Sequence, residues 1–190
     1  MPLPRFDRLP PDARAAILSA ARAHFARDGR DGASLNRIIA DARISKTSAY
    51  HYFDGKDDLF AAVTADAAGR ALAALGPWVE VDSAPALWDQ TAAGADRLAA
   101  HLREHPDDRA VLAAAPHDAG AHPWIDRLVD NGGRLGLLDP AVDPGLIAAV
   151  TAAVIGAVDT WALNRPADES VAGTLTLLLQ RLWSPIRAAG

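Results

Sequence analysis

Apolar residues in this chain recur three and four positions apart and almost never alternate, a period that fits the turn of an α-helix and no sheet. Proline and glycine interrupt the pattern at regular intervals, so the chain must fold as a series of separate helices. The spacing predicts a first helix from about Asp12 to Arg27, with Ile17, Ala21 and Phe25 on one face and Gly29 able to end it. Ser34 is placed to cap a second helix carrying Leu35, Ile38, Ile39 and Ala42, and Ser45 to cap a third, Lys46 to Phe53. Gly55 opens a fourth that reaches Leu75, with Asp57 and Asp58 complementing its N-terminal dipole. Later breaks place helices near 84–104, 107–115, 123–137, 145–164 and 168–188. The expectation is an all-α protein of about nine helices.

Composition removes several classes of function. The chain has no cysteine, which excludes disulfides, thiolate metal sites and thiol nucleophiles and favours a reducing compartment, so the cytoplasm is expected. The opening MPLPRFDRLPPDAR sets charges and four prolines where a secretory signal needs an unbroken apolar core. The most apolar run, Leu146 to Val158, is followed by Asp159 and falls short of the roughly twenty residues of a membrane span. It reads as a helix buried in protein, with no membrane partner.

Charge is divided unevenly. Residues 1–60 hold ten Arg and Lys against eight Asp, a net of +2, within a chain whose total is −5. That split suggests a weakly basic head on an acidic body. The head also holds the chain's only lysines, Lys46 and Lys56, and its only tyrosines, Tyr50 and Tyr52, all inside SKTSAYHYFDGKDDL.

Two short helices joined by the turn Ala42–Ser45 match a helix-turn-helix, whose second helix lies in the DNA major groove. Lys46 can reach guanine acceptors or a phosphate, and Thr47 a base edge or a thymine methyl. Ser48, Tyr50 and Tyr52 can donate to phosphates, with both rings expected to pack against the bundle. Lys56 adds a cation beside the free N–H groups of the next helix.

These residues resemble the tetracycline-repressor (TetR) type of bacterial transcriptional regulator over about Arg14 to Val63, through Ala23-His24-Phe25-Ala26-Arg27-Asp28-Gly29 and SKTSAYHYFDGKDDL. The resemblance implies a three-helix DNA-binding head over 1–55 and a helical ligand-binding and dimerisation body over 56–190. It implies base reading by Lys46 and Thr47, and contacts to phosphate and sugar from Ser34, Ser48, Tyr50, His51, Tyr52 and Lys56, beside the cap Ser45. Three positions depart from the family's pattern. Arg43 stands at the turn glycine, where it must adopt a positive φ and can add a phosphate contact. Ile39 and Ala49 exchange bulk between neighbouring helices. Arg37 removes the acidic partner of a capping box at Ser34.

The body offers less chemistry. His101 and His105 share a helix face, but HLREH lacks the metalloprotease spacing, and no metal or other cofactor is expected. No convergent nucleophile and base appear, so an enzyme is not expected; the alternative kept open is a ligand-binding or enzymatic helical protein with a vestigial head. Trp78, Trp88, Trp124 and Trp161, with His101, His105 and His117, are candidate pocket residues for an unidentified, largely apolar effector, although core packing explains any one tryptophan equally well. Ile147, Val150, Val154 and Val158, then Leu175, Leu178, Leu179, Leu182 and Trp183, form apolar stripes wide enough for a homodimer interface, with Gly156 and Gly173 allowing close helix approach. The expected partners are therefore double-stranded operator DNA, a second copy of the chain and a small molecule that releases the repressor.

Overall fold

The computed structural model describes residues 2–115, 123–165 and 171–183. Among them are ten helices and no strand: α1 (Pro4–Asp7), α2 (Pro11–Gly32), α3 (Leu35–Asp41), α4 (Lys46–Tyr52), α5 (Lys56–Leu75), α6 (Ala84–Glu104), α7 (Pro106–Ala114), α8 (Pro123–Arg134), α9 (Pro144–Leu163) and α10 (Ala172–Trp183). The nine expected helices are present, and the additional one is the single turn α1. The helix expected over 168–188 is described only within Ala172–Trp183, and its remaining residues lie outside the described ones.

The chain divides into two compact units. The first holds residues through Ala71 together with Leu102–Ala115, and so contains α1 to α4, most of α5, and α7. Its core joins Ile17, Leu18, Ala21 and Phe25 of α2 to Ile38 of α3 and to Leu59, Phe60 and Val63 of α5. The unit runs past residue 55 because α5 supplies those side chains and α7 supplies Val111.

Ion pairs fasten α7 to its neighbours. The Asp108 carboxylate is buried and receives Arg70 Nε at 3.0 Å, Arg70 Nη2, and the charge of Arg22 Nε at 3.2 Å. Asp66 takes the other ends of both arginines. Burial works against the Arg70 charge, but hydrogen bonds and charge from Asp108 and Asp66 outweigh it and hold its pKa above the ordinary value.

The second unit holds Leu72–His101 and the helices α8, α9 and α10. Trp78, Leu87, Trp124, Leu128, Val129, Val158, Leu175, Leu179 and Trp183 form its core. The buried Asn131 fixes the segment before α6. Its Oδ1 accepts from Trp78 Nε1 at 3.1 Å and Val81 N at 3.0 Å, and its Nδ2 donates to Val81 O at 2.9 Å. Close approach is seen at Gly132 and Gly94, and not at Gly173, one of the two glycines expected to allow it. A Cβ at Gly132 would press into the Trp183 ring, and one at Gly94 would meet Leu75 Cδ1 at 3.1 Å, whereas one at Gly173 would meet nothing within 4 Å.

α9 departs from expectation. The run read as too short for a membrane and buried in protein is the middle of a 20-residue helix with mean hydropathy 1.9 over its most apolar window, yet only 11% of that window is buried. By length and composition this helix is able to cross a membrane. Thr151 and Val158 face the unit's own core, while Leu146, Val150 and Trp161 stay exposed, as do Leu177, Leu178 and Leu182 of α10. Four of the nine expected interface residues, Val158, Leu175, Leu179 and Trp183, are therefore core residues of the chain itself. The stripes were wide because each holds two faces, one covered within the chain and one bare.

Candidate nucleic-acid interface

The helix-turn-helix is built from short-range chemistry. α3 ends at Asp41, Ala42 still has right-handed helical φ and ψ, and Arg43 then turns the chain with φ 55. Ile44 N donates to Ile39 O at 3.2 Å, closing the turn, and Ser45 follows in extended conformation as the N-cap of α4. Its Oγ accepts from Ser48 N at 3.0 Å and lies 2.8 Å from Ser48 Oγ, so both serines are tied to the first turn of the helix, Ser45 exposed and Ser48 half-buried. Ser34 caps α3 by backbone alone. Its hydroxyl makes no capping hydrogen bond, which agrees with Arg37 standing where a capping box would need an acid.

Ala49 is buried and so is Ile39, consistent with an exchange of bulk between the two helices. With that face inward, Lys46, Thr47, Tyr50 and His51 of α4 are exposed together with Arg43. Tyr50 differs from expectation, since the residue is 53% exposed rather than packed against the bundle. Tyr52 is half-buried, its ring 6.2 Å from Phe6 and 6.4 Å from Phe53. Phe53 is not part of the helix; it closes α4 as the C-cap and is buried.

Lys56 opens α5, where the buried Asp58 accepts from Asp54 N at 3.1 Å. Its Nζ donates to Asp31 O at 2.7 Å, near the end of α2. An ammonium has three donors, so this bond leaves two for a phosphate.

A clamp that sequence reasoning did not single out positions α3. His24 of α2 is buried; its Nδ1 lies 2.9 Å from Arg27 Nη2 and its Nε2 2.6 Å from Asp41 Oδ2. Because arginine can only donate, Nδ1 is the acceptor and Nε2–H donates to the last residue of α3. The signal was available: Ile17, Ala21, His24 and Phe25 follow one helical face, and the histidine is the polar member of an apolar set.

The described candidate pocket residues sit in different surroundings. Trp78 and Trp124 pack edge to face at 4.9 Å in the core, and Trp88 stacks at a tilt 5.3 Å from Trp183. Trp161 is exposed beneath the Arg165 guanidinium at 4.6 Å. His101 is half-buried in the second unit, His105 is exposed at the start of α7 in the first, and His117 lies outside the described residues. An apolar cavity of about 170 Å³ lies elsewhere in the second unit, lined by Leu138, Asp139, Val142, Leu146, Ile147, Val150, Leu182 and Trp183. Among the described residues no three ligating side chains come together as a metal site.

Comparison with known proteins bears on the same segment. Residues 17–63 match the family described as bacterial regulatory proteins, tetR family. The chain is 31% identical over 172 residues to an HTH-type transcriptional repressor of Streptomyces coelicolor, covering 84% of this chain and 82% of that one. Among solved structures it is similar to a putative transcriptional regulator of the same organism, at 27% identity and TM-score 0.51, covering 90% of this chain and 97% of that chain. It also shares a fold with the transcriptional regulator FadR of Bacillus subtilis, solved in complex with stearoyl-CoA, at 14% identity and TM-score 0.63, with 89% and 96% covered.

Proposed function

The chain belongs to the tetR family of bacterial regulatory proteins, and from that premise we propose that it is a cytoplasmic, ligand-responsive repressor that binds a palindromic operator as a homodimer. The observation that carries this reading is α4: a short helix capped by Ser45, entered through the left-handed turn at Arg43, and keeping Lys46, Thr47, Tyr50 and His51 exposed together. Lys46 and Thr47, at the N-terminal end that enters the groove, read base edges. Ser34, Arg43, Ser45, Ser48, Tyr50, His51, Tyr52 and Lys56 hold phosphates and sugars, which fixes register without reading sequence.

Homodimer formation accounts for the bare side of α9 and α10. Ile147, Val150, Val154, Leu178 and Leu182 form the interface, joined by Leu146 and Leu177, while Val158, Leu175, Leu179 and Trp183 support it from within. Pairing with a second copy covers apolar surface that a monomer leaves in water.

The effector is a largely apolar small molecule. FadR, a protein of the same fold, holds an acyl-CoA. The 170 Å³ apolar hollow of the second unit is lined by Leu146, Ile147, Val150 and Leu182, residues of the proposed interface, so pairing with a second copy covers it. A ligand that binds the state unable to hold DNA more tightly shifts the population toward it, and that difference is what releases DNA.

The test is selection of bound fragments from a genomic library by the purified protein. The expected result is an inverted repeat whose half-site centres lie about 34–36 Å apart, or a multiple of that. Bound fragments sharing no repeat would contradict the reading.

A further inference from the structure

The segment before α2 lies outside residues 17–63, the part that matches the family, and it is built onto the recognition helix. Leu3 N donates to Tyr52 O, the last residue of α4, at 2.8 Å. Phe6, the one buried residue of α1, sets its ring 4.7 Å from Phe53 and 6.2 Å from Tyr52. Pro4 begins this turn with φ already fixed, which lowers the entropy lost on ordering it.

The segment carries Arg5 and Arg8, both exposed. Neither has an acidic partner among the described residues, whereas Arg22, Arg27 and Arg30 of α2 are each ion-paired. Asp7 lies between them, so the segment bears a net charge of +1. α4 has seven residues and is therefore about 10 Å long, close to the roughly 12 Å width of the major groove. A group docked at its C-terminal end stands within about one groove width of the bases, where the bounding phosphate strands run.

We propose that Leu3–Arg8 is a second DNA-contacting element, in which Arg5 and Arg8 hold backbone phosphates flanking the half-site read by α4. This rests on the DNA-binding function proposed above. Phe6 and the Leu3–Tyr52 hydrogen bond are the positioning contacts that keep the two cations beside the groove rather than on a loose chain.

The test is fluorescence anisotropy on a selected fragment and on a scrambled one, between about 50 and 200 mM salt, for wild type, Arg5→Gln/Arg8→Gln and Lys46→Ala. Each phosphate contact contributes about 0.9 to the slope of log K against log salt. Four contacts in a dimer predict a slope shallower by about 3 to 4 in the double arginine variant, with unchanged thermal midpoint and unchanged preference for the selected fragment. Lys46→Ala is expected to lose that preference. A wild-type slope in the double arginine variant overturns this inference while leaving the proposed function standing. Wild type that binds scrambled DNA as tightly as the selected fragment overturns both.

Discussion

Arg43 holds φ 55 at the turn between α3 and α4, the one non-glycine residue with positive φ among those described. A Cβ in the left-handed region costs about 1–2 kcal/mol, and the guanidinium it carries is exposed on the proposed DNA side. Arg43→Gly therefore separates folding from binding: urea melts should show a gain of about 0.5–1 kcal/mol, while operator affinity falls and the salt slope drops by about 2 for a dimer. Asp159 poses a different residue-scale conflict. It is half-buried on the apolar α9, and the loss of water around it raises its pKa from the ordinary 3.8 to about 6. Below pH 4 it is protonated both folded and unfolded and costs nothing. Between about pH 4 and 6 the unfolded chain ionises first, so stability falls as pH rises, and above 6 the full penalty of about 2–3 kcal/mol stands. Asp159→Asn should be more stable than wild type by that amount at pH 7, with the gain vanishing near pH 4 in denaturant titrations run across the range.

At the scale of elements, the contact of α8 with α10 depends on Gly132. The indole it meets has little freedom, since Trp183 is buried and its Nε1 donates to Thr151 Oγ1 at 3.0 Å. Gly132→Ala sets a Cβ within about 3 Å of two ring carbons and closer to a third, so it should lower stability by about 1–3 kcal/mol, read as an earlier thermal midpoint. Nothing in the sequence separated Gly132 from Gly156 or Gly173, because which glycine faces a ring depends on how helices distant in sequence cross. Where the determinants were local, the reading held: the cap at Ser45, the kink at Gly29 that interrupts α2 before its last turn, and the positive φ of Arg43 follow from one to four residues each. α1 escaped because four residues carry no period, and what makes it a fixed element is Phe6 packing on Tyr52 and Phe53 together with the Leu3–Tyr52 hydrogen bond. The tryptophans escaped for another reason. Indole rings pack in cores and line pockets by the same apolar surface, and only the Trp78–Asn131 bond and the Trp88–Trp183 contact show what two of them do.

At the scale of the whole molecule, the proposed function needs α4 of the first unit and the bare apolar face of the second, since the proposed homodimer would set the distance between two copies of α4. Period alone identified α9 and α10 as wide stripes, but could not divide core from outer face. Val150→Glu/Leu178→Glu places charges on two exposed apolar positions and should give a folded monomer by sedimentation. Its operator affinity should fall by orders of magnitude at nanomolar protein, since each half-site is then bound alone. The most direct test of the central claim is competitor-resistant binding to a selected operator, compared between wild type and Lys46→Ala/Tyr50→Ala by fluorescence anisotropy. Wild type should bind tightly and the variant at least about thirtyfold more weakly, at about 1–3 kcal/mol for the lost Lys46 base contact in each of two half-sites, with an unchanged helical melt. Equal affinity of the two proteins for that operator would contradict the claim.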